Sequence, residues 1–322
     1  MHESLQALDE IRLNFNSGGI LILNITIAFI MFGVALQIKV DQFKKILFNP
    51  KNVLIGFFSQ FFLLPAVTFI LILIFSKYIT PTIALGMMLV AACPGGNVSN
   101  FISSLAKGNV ALSVSLTAIA TIAAIFMTPL NFKIWGGLYL RYISIHEANS
   151  LLQPLVIPLG QVFQTIFILL GIPIIIGMFV NWKFPKLTAV ITKPIKIFSI
   201  VAFGSMVILA FISNYEYFWE HIKYIAIIVF FHNAFAFLTG YSFASVFKLS
   251  KTDVKTISIE TGIQNSALGL ALLFNPKIFP PELAIGGMAF IAAWWGIWHI
   301  LAGLGLAGFW ALISEKKIAS RS

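Results

Sequence analysis

Glu260, one of 11 acidic residues, is a carboxylate in the middle of an apolar stretch, residues 254–274, whereas nearly all of the others fall in polar connections or at segment edges. A charge at mid-bilayer costs roughly 2.5–3.5 kcal/mol on insertion scales, so an acid kept at that depth is a functional site by default. The plainer account is a protonated acid hydrogen-bonded in a helix seam, but the residues that follow weigh against it. Glu260-Thr261-Gly262-Ile263-Gln264-Asn265-Ser266 gathers a carboxylate, two hydroxyls and two amides around a glycine. Hard cations such as sodium take several oxygen ligands, and this run supplies them.

A second polar island, Cys93-Pro94-Gly95-Gly96-Asn97-Val98-Ser99-Asn100, interrupts the apolar stretch 82–105. Proline followed by two glycines breaks a helix. A broken helix at membrane depth is tolerated only where it is buried in protein or lines a watery cavity. Taken alone, the island also fits a proline kink whose serine and asparagines join helices. Together the two islands say more, because interrupted spans at corresponding places in two inverted halves point to a transporter binding site. Half-helix N-termini would turn N–H groups toward an anion, and the freed carbonyls would suit sodium.

The elements that must position these residues follow from composition. The chain is 59% apolar and 10% charged, against about 25% charged in a soluble domain. Its solvent is therefore lipid, and with no alternating strands of a barrel visible, the spans are helices. Nine apolar segments can be marked: 18–38, 52–76, 82–105, 109–131, 158–181, 196–214, 221–247, 254–274 and 282–313. The expected organisation is a polar N-terminal segment 1–17, able to form a short amphipathic helix on the membrane surface, a first repeat of four spans over 18–131, and a connection over 132–157. A second repeat of five spans covers 158–313, and a tail covers 314–322.

The net charge of +10 gathers in short runs between apolar segments, without the basic stripe and interleaved aromatics of a nucleic-acid binder. Fifteen cations fall on one alternating set of loops: Lys39, Lys44, Lys45, Lys51, Lys107, Lys183, Lys186, Lys193, Lys196, Lys248, Lys251, Lys255, Lys316, Lys317 and Arg321. Six fall on the other: Arg12, Lys77, Lys133, Arg141, Lys223 and Lys277. The positive-inside rule then sets the N-terminus outside and the C-terminus in the cytoplasm. A single cysteine, Cys93, rules out an internal disulfide framework.

The run Cys93–Asn100, continued by Leu105-Ala106-Lys107-Gly108-Asn109-Val110-Ala111-Leu112-Ser113-Val114-Ser115-Leu116-Thr117, resembles a signature of the bile acid:sodium symporter family. Ile259-Glu260-Thr261-Gly262-Ile263-Gln264-Asn265-Ser266 resembles its second signature, with shorter echoes at Gln60 and Pro65, His232-Asn233 and Trp298-His299. The resemblance runs from about Ile30 to the last span. It implies inverted repeats arranged as a panel and a core domain, with two broken helices crossing in the core. The chain matches the nine-span, bacterial-type form, which implies a place in the bacterial cytoplasmic membrane. By the same resemblance, Ser99, Asn100, Ser113, Thr117 and Glu260 form a first sodium site. Gln60, Glu260 and Gln264, with the backbone carbonyls of Thr261 and Ile263, form a second.

The substrate implied is an organic anion, bile acid-like or a small carboxylate such as pantoate or a 2-oxo acid, held by Asn97, Asn265 and Ser266. Asn97 stands where the family usually has a small hydroxyl residue, and Ile300 where it often has asparagine, which leaves the choice of anion open. No cofactor is expected beyond two coupling sodium ions, and nothing in the sequence sets the oligomeric state.

Three other readings compete. A cation/proton antiporter would use Glu260 as its proton carrier, but such sites usually pair carboxylates. A channel favours a ring or file of polar residues over one cluster, and no soluble sensing domain accompanies a receptor. An intramembrane enzyme lacks a His/Asp partner for Ser99 or Ser113, or a zinc-type motif. His232 and His299 read as hydrogen-bonded packing residues, and Cys93 as a small buried one.

Overall fold

The computed structural model describes residues 2–9, 17–38, 50–146, 159–212, 215–280 and 283–319. Arg12, Lys39, Lys44, Lys45 and Arg321, all used in the charge argument, lie outside the described residues. The described chain is helical throughout, in keeping with a polytopic α-helical membrane protein. We number its elements α1 (His2–Asp9), α2 (Ser17–Ala35), α3 (Pro50–Ile74), α4 (Pro81–Ala92), α5 (Val98–Leu105) and α6 (Val110–His146). There follow α7 (Gly160–Lys183), α8 (Pro185–Ile212), α9 (Tyr215–Val246), α10 (Lys251–Gly262), α11 (Ser266–Leu273) and α12 (Gly286–Ala319). Five of them, α3, α6, α7, α9 and α12, contain runs long and apolar enough to cross a membrane.

Two boundaries differ from the sequence reading. The helix expected to end near Asn131 continues to His146, because Lys133 and Arg141 interrupt the apolar run without breaking backbone hydrogen bonds. The segment expected from residue 196 begins earlier, at Pro185, a residue well suited to a first helical turn.

Two of the prolines inside the long helices are accommodated by local widening. A π-helical turn at Ser59–Leu63 precedes Pro65, and another at Phe167–Gly171 precedes Pro173. Proline offers no N–H to the preceding turn, and a π bulge absorbs that gap. The first of these turns carries Gln60.

Helix ends are closed by identifiable side chains. Asn109 accepts from the Leu112 N–H at the start of α6, Ser250 from Asp253 N at the start of α10, and Asn265 from Leu268 N at the start of α11. At the C-termini of α5 and α9 one motif recurs. Gly108 N–H bonds Ser103 O and Lys107 N–H bonds Ser104 O, while Leu249 N–H bonds Ala244 O and Lys248 N–H bonds Ser245 O. Lys107 and Lys248 both take the left-handed conformation, φ 54°, that this cap requires.

The most extensive contacts join α9 to α10 and α4 to α12, and α2 to α7 and α8. Small residues set the closest approaches. A Cβ on Gly240 of α9 would lie 2.6 Å from the Ile257 carbonyl of α10, and one on Gly86 of α4 would lie 2.7 Å from Met288 Cα of α12. In lipid, close backbone packing replaces the hydrophobic drive, so small residues gather at such seams. Within the N-terminal segment, residues 2–9 form the helix α1, which packs into the protein and does not lie on the membrane surface as expected. Leu5 and Leu8 of α1 are fully buried, its neighbours being α12, α9 and α4. Asp9 at its end accepts from Thr80 Oγ1 (2.8 Å) and from the N–H and hydroxyl of Thr82, capping α4 from outside that helix.

Candidate functional site

Two breaks in the helical chain meet. Residues 93–97 separate α4 from α5, and residues 263–265 separate α10 from α11. The extended strips between them pair antiparallel at Gly95 and Gln264. Gly96 N–H donates to Ile263 O (2.9 Å), and Asn265 N–H to Pro94 O (2.8 Å). Each break thus satisfies backbone groups that the other has freed, as a low-dielectric interior demands. Glycine eases this approach: a Cβ on Gly95 would sit 3.1 Å from Glu260 Oε2, and one on Gly96 3.2 Å from Gln264 O, so either neighbour would have to give way.

Glu260 lies one turn before the second break, 3% exposed. Three buried hydroxyls converge on its carboxylate. Ser99 of α5 donates at 2.6 Å, Ser113 of α6 donates to the same oxygen, and Thr117 of α6 reaches Oε2 at 3.1 Å and Oε1 at 3.2 Å. Thr117 also lies 3.3 Å from Asn100 Oδ1 and from Ser99 Oγ. Ser113 and Thr117 share a face of α6, four residues apart, while Ser99 and Asn100 occupy the first turn of α5. The structure therefore brings together all five residues expected at the first site. Among the described residues, no Lys or Arg nitrogen lies within 4 Å of the Glu260 carboxylate. A carboxylate surrounded by hydroxyl and amide oxygens, with no ammonium or guanidinium, is suited to a hard monovalent cation.

The second group stands beside it. Gln60, 3% exposed, donates through Nε2 to Gln264 Oε1 (2.7 Å) and to Cys93 O (3.1 Å). Gln264 donates to Thr261 O (2.7 Å), while Ile263 O takes the Gly96 N–H. Thr261 and Ile263 meet this site through main-chain oxygens, and the Thr261 hydroxyl turns instead to Ser59 Oγ (2.9 Å). Gln60 Oε1 is buried and has no partner among the described residues.

The residues expected at the anion head the two second half-helices. Asn97 precedes α5, half-buried, and makes no side-chain cap bond. Asn265 uses its carbonyl oxygen to cap α11 and turns its amide toward Met31 Sδ of α2 (3.9 Å). Ser266 is buried in the first turn of α11.

Two positioning residues had no role assigned from the sequence. Asp253 accepts from Asn52 (3.0 Å), Asn109 (2.7 Å) and Ser250 (2.7 Å), and so ties the start of α3 and the α5–α6 turn to the start of α10. Its place at the edge of an apolar segment gave no sign of this. Asn233, 0% exposed, donates to Gly262 O at 2.7 Å. The available signal was an amide beside a histidine within the apolar stretch 221–247. His232 shares a hydrogen bond with Thr68 (2.8 Å) and packs on the Trp295 ring, which is fully buried in the protein interior.

Comparison with known proteins identifies the family. The pattern of the Sodium Bile acid symporter family matches residues 24–221. The chain is 33% identical over 297 residues, 92% of its length, to an uncharacterized sodium-dependent transporter, YocS, of Bacillus subtilis (strain 168), covering 85% of that protein. It is 30% identical to the probable sodium/metabolite cotransporter BASS1 of Arabidopsis thaliana, over 89% of this chain and 66% of that one. It is 28% identical to a sodium-dependent organic anion transporter of Bos taurus, over 98% of this chain and 78% of that one. Both signature runs and their meeting at Glu260 have a common explanation: this membrane protein is no enzyme but belongs to the sodium bile acid symporter family of sodium-dependent transporters.

Proposed function

We propose that this protein is a sodium-coupled symporter that imports an organic anion by alternating access. The observation that carries the proposal is the buried oxygen cluster on Glu260, built from α5, α6 and α10 and lacking a cationic partner among the described residues. Ser99, Asn100, Ser113, Thr117 and Glu260 hold one sodium ion. Gln60, Glu260 and Gln264, with the main-chain oxygens of Thr261 and Ile263, hold a second. Asn97, Asn265 and Ser266 receive the anion where α5 and α11 begin, since the free N–H groups of helix N-termini favour negative charge.

Two sodium ions against one ionised Glu260 leave a net charge of +1, which a monoanion neutralises. The substrate is a bile acid-like molecule or a small carboxylate such as pantoate or a 2-oxo acid. Nine spans in two inverted repeats form the panel and core domains, with the broken helices in the core. The protein sits in the bacterial cytoplasmic membrane, N-terminus outside and C-terminus within.

Thermal stability of the purified protein tests this across taurocholate, pantoate, pyruvate and a sulfated steroid, with sodium or potassium as the only cation. Specific binding stabilises the folded state by mass action. Sodium should stabilise the wild type, one anion should add to that only in sodium, and Glu260→Ala should lose both effects. A protein indifferent to sodium, whose stability follows pH through Glu260, would instead be a proton-linked exchanger.

A further inference from the structure

The same arrangement recurs at the two helix breaks. The first half-helix, α4, ends at Ala92, and the carbonyl of the next residue, Cys93, which caps it, accepts Gln60 Nε2 at 3.1 Å. The half-helix α10 ends at Gly262, whose carbonyl accepts Asn233 Nδ2 at 2.7 Å. Each amide comes from the long helix that precedes the broken one. Gln60 lies on α3, 33 residues before its acceptor, and Asn233 lies on α9, 29 residues before its own. Both side chains are buried, and both leave one amide oxygen, Gln60 Oε1 and Asn233 Oδ1, without a partner among the described residues. Buried polar atoms are rarely left unpaired, and each exception calls for an explanation such as an ion or a water.

Three successive carbonyls at the second break are each held by a different donor. Gln264 Nε2 bonds Thr261 O (2.7 Å), Asn233 bonds Gly262 O (2.7 Å), and Gly96 N–H bonds Ile263 O (2.9 Å). Peptide units are planar, so fixing the Gly262 carbonyl also limits how its neighbours on either side can turn. Asn233 itself has little room to move. Gly240 lets α9 lie against the α10 backbone, and the Phe237 ring packs against Gly262.

We infer that Asn233 is the counterpart of Gln60 at the second break, a positioning residue that aims the Thr261 and Ile263 carbonyls at sodium and sets affinity there. The inference rests on the sodium-symport reading. It extends the site to α9, a helix that supplies none of the expected ligands.

The test is a sodium titration of thermal stability on the intact purified protein, with choline as the replacement cation and no anion added. Asn233→Leu keeps the volume and removes the amide. It should raise the half-maximal sodium concentration at least tenfold. Asn233→Gln restores an amide on a longer stem and should recover part of that shift, which a residue needed only for packing would not do. A variant melting lower in choline with an unchanged sodium midpoint overturns the inference and leaves the symporter reading intact. Should Asn233→Leu fail to fold, Asn233→Ala takes its place, and an unchanged midpoint in that variant overturns the inference equally. A wild type that does not respond to sodium removes the symporter reading itself, and this inference with it.

Discussion

Glu260 shows how much one side chain depends on its neighbours. A carboxylate at this depth is costly, and here Ser99, Ser113 and Thr117 each contribute a hydroxyl whose remaining lone pairs can face a cation. A hydrogen bond to a charged group contributes about 1.5–3 kcal/mol. Thr117→Val keeps the shape and removes that oxygen, so half-saturating sodium in an uptake assay should rise roughly tenfold or more. Anion affinity at saturating sodium should stay within about twofold. An unchanged sodium dependence would place the ion elsewhere. The hydroxyls were legible in the sequence only because their signature runs are distinctive. Asn233 lay only in the short echo His232-Asn233, which carried no role, and its partner is a main-chain carbonyl that no pattern of side chains records.

Elements meet in this protein through glycine and through broken helices. At the α9–α10 seam a methyl group on Gly240 would lie 2.6 Å from Ile257 O and 2.8 Å from Ser258 Cα, both backbone atoms. Gly240→Ala gains about 1 kcal/mol of helix propensity, but overpacking against a backbone costs about 1–3 kcal/mol. The clash should win, and the variant should melt at a lower temperature. Gly308→Ala on α12 meets nothing within 4 Å and should melt at or above the wild type. Equal melting of the two variants would mean that the seam is looser than its geometry. The breaks themselves were readable from Pro94, Gly95, Gly96 and Gly262. The length of α6 was not, because Lys133 and Arg141 alter hydropathy without altering helical hydrogen bonding.

At the scale of the whole molecule, charge has a direction. Lys51 reaches Phe247 O (3.4 Å) and Lys255 reaches Ala106 O (3.0 Å), so the start of α3, the α5–α6 turn and the α9–α10 turn gather at one end. All three belong to the lysine-rich set of loops. If two sodium ions enter with one monoanion, each cycle carries one net positive charge inward. A membrane potential adds about 2.3 kcal/mol per charge per 100 mV, so an inside-negative potential of roughly 60 mV should raise anion accumulation in proteoliposomes roughly tenfold. No response to potential would mean one sodium per monoanion.

Sequence alone determined that this chain lives in lipid, is helical, and keeps an acid with oxygen-bearing neighbours at membrane depth. Those conclusions rest on the cost of transferring charge and unpaired backbone into hydrocarbon, which any arrangement of the chain must meet. Tertiary structure alone decided which polar atoms face one another. Glu260 lies 161 residues from Ser99 and 143 from Thr117, and Asn233 reaches a carbonyl 29 residues away. Such contacts depend on how closely helices approach and how their ends are turned. Those are properties of packed backbones, and no local run of residues carries them.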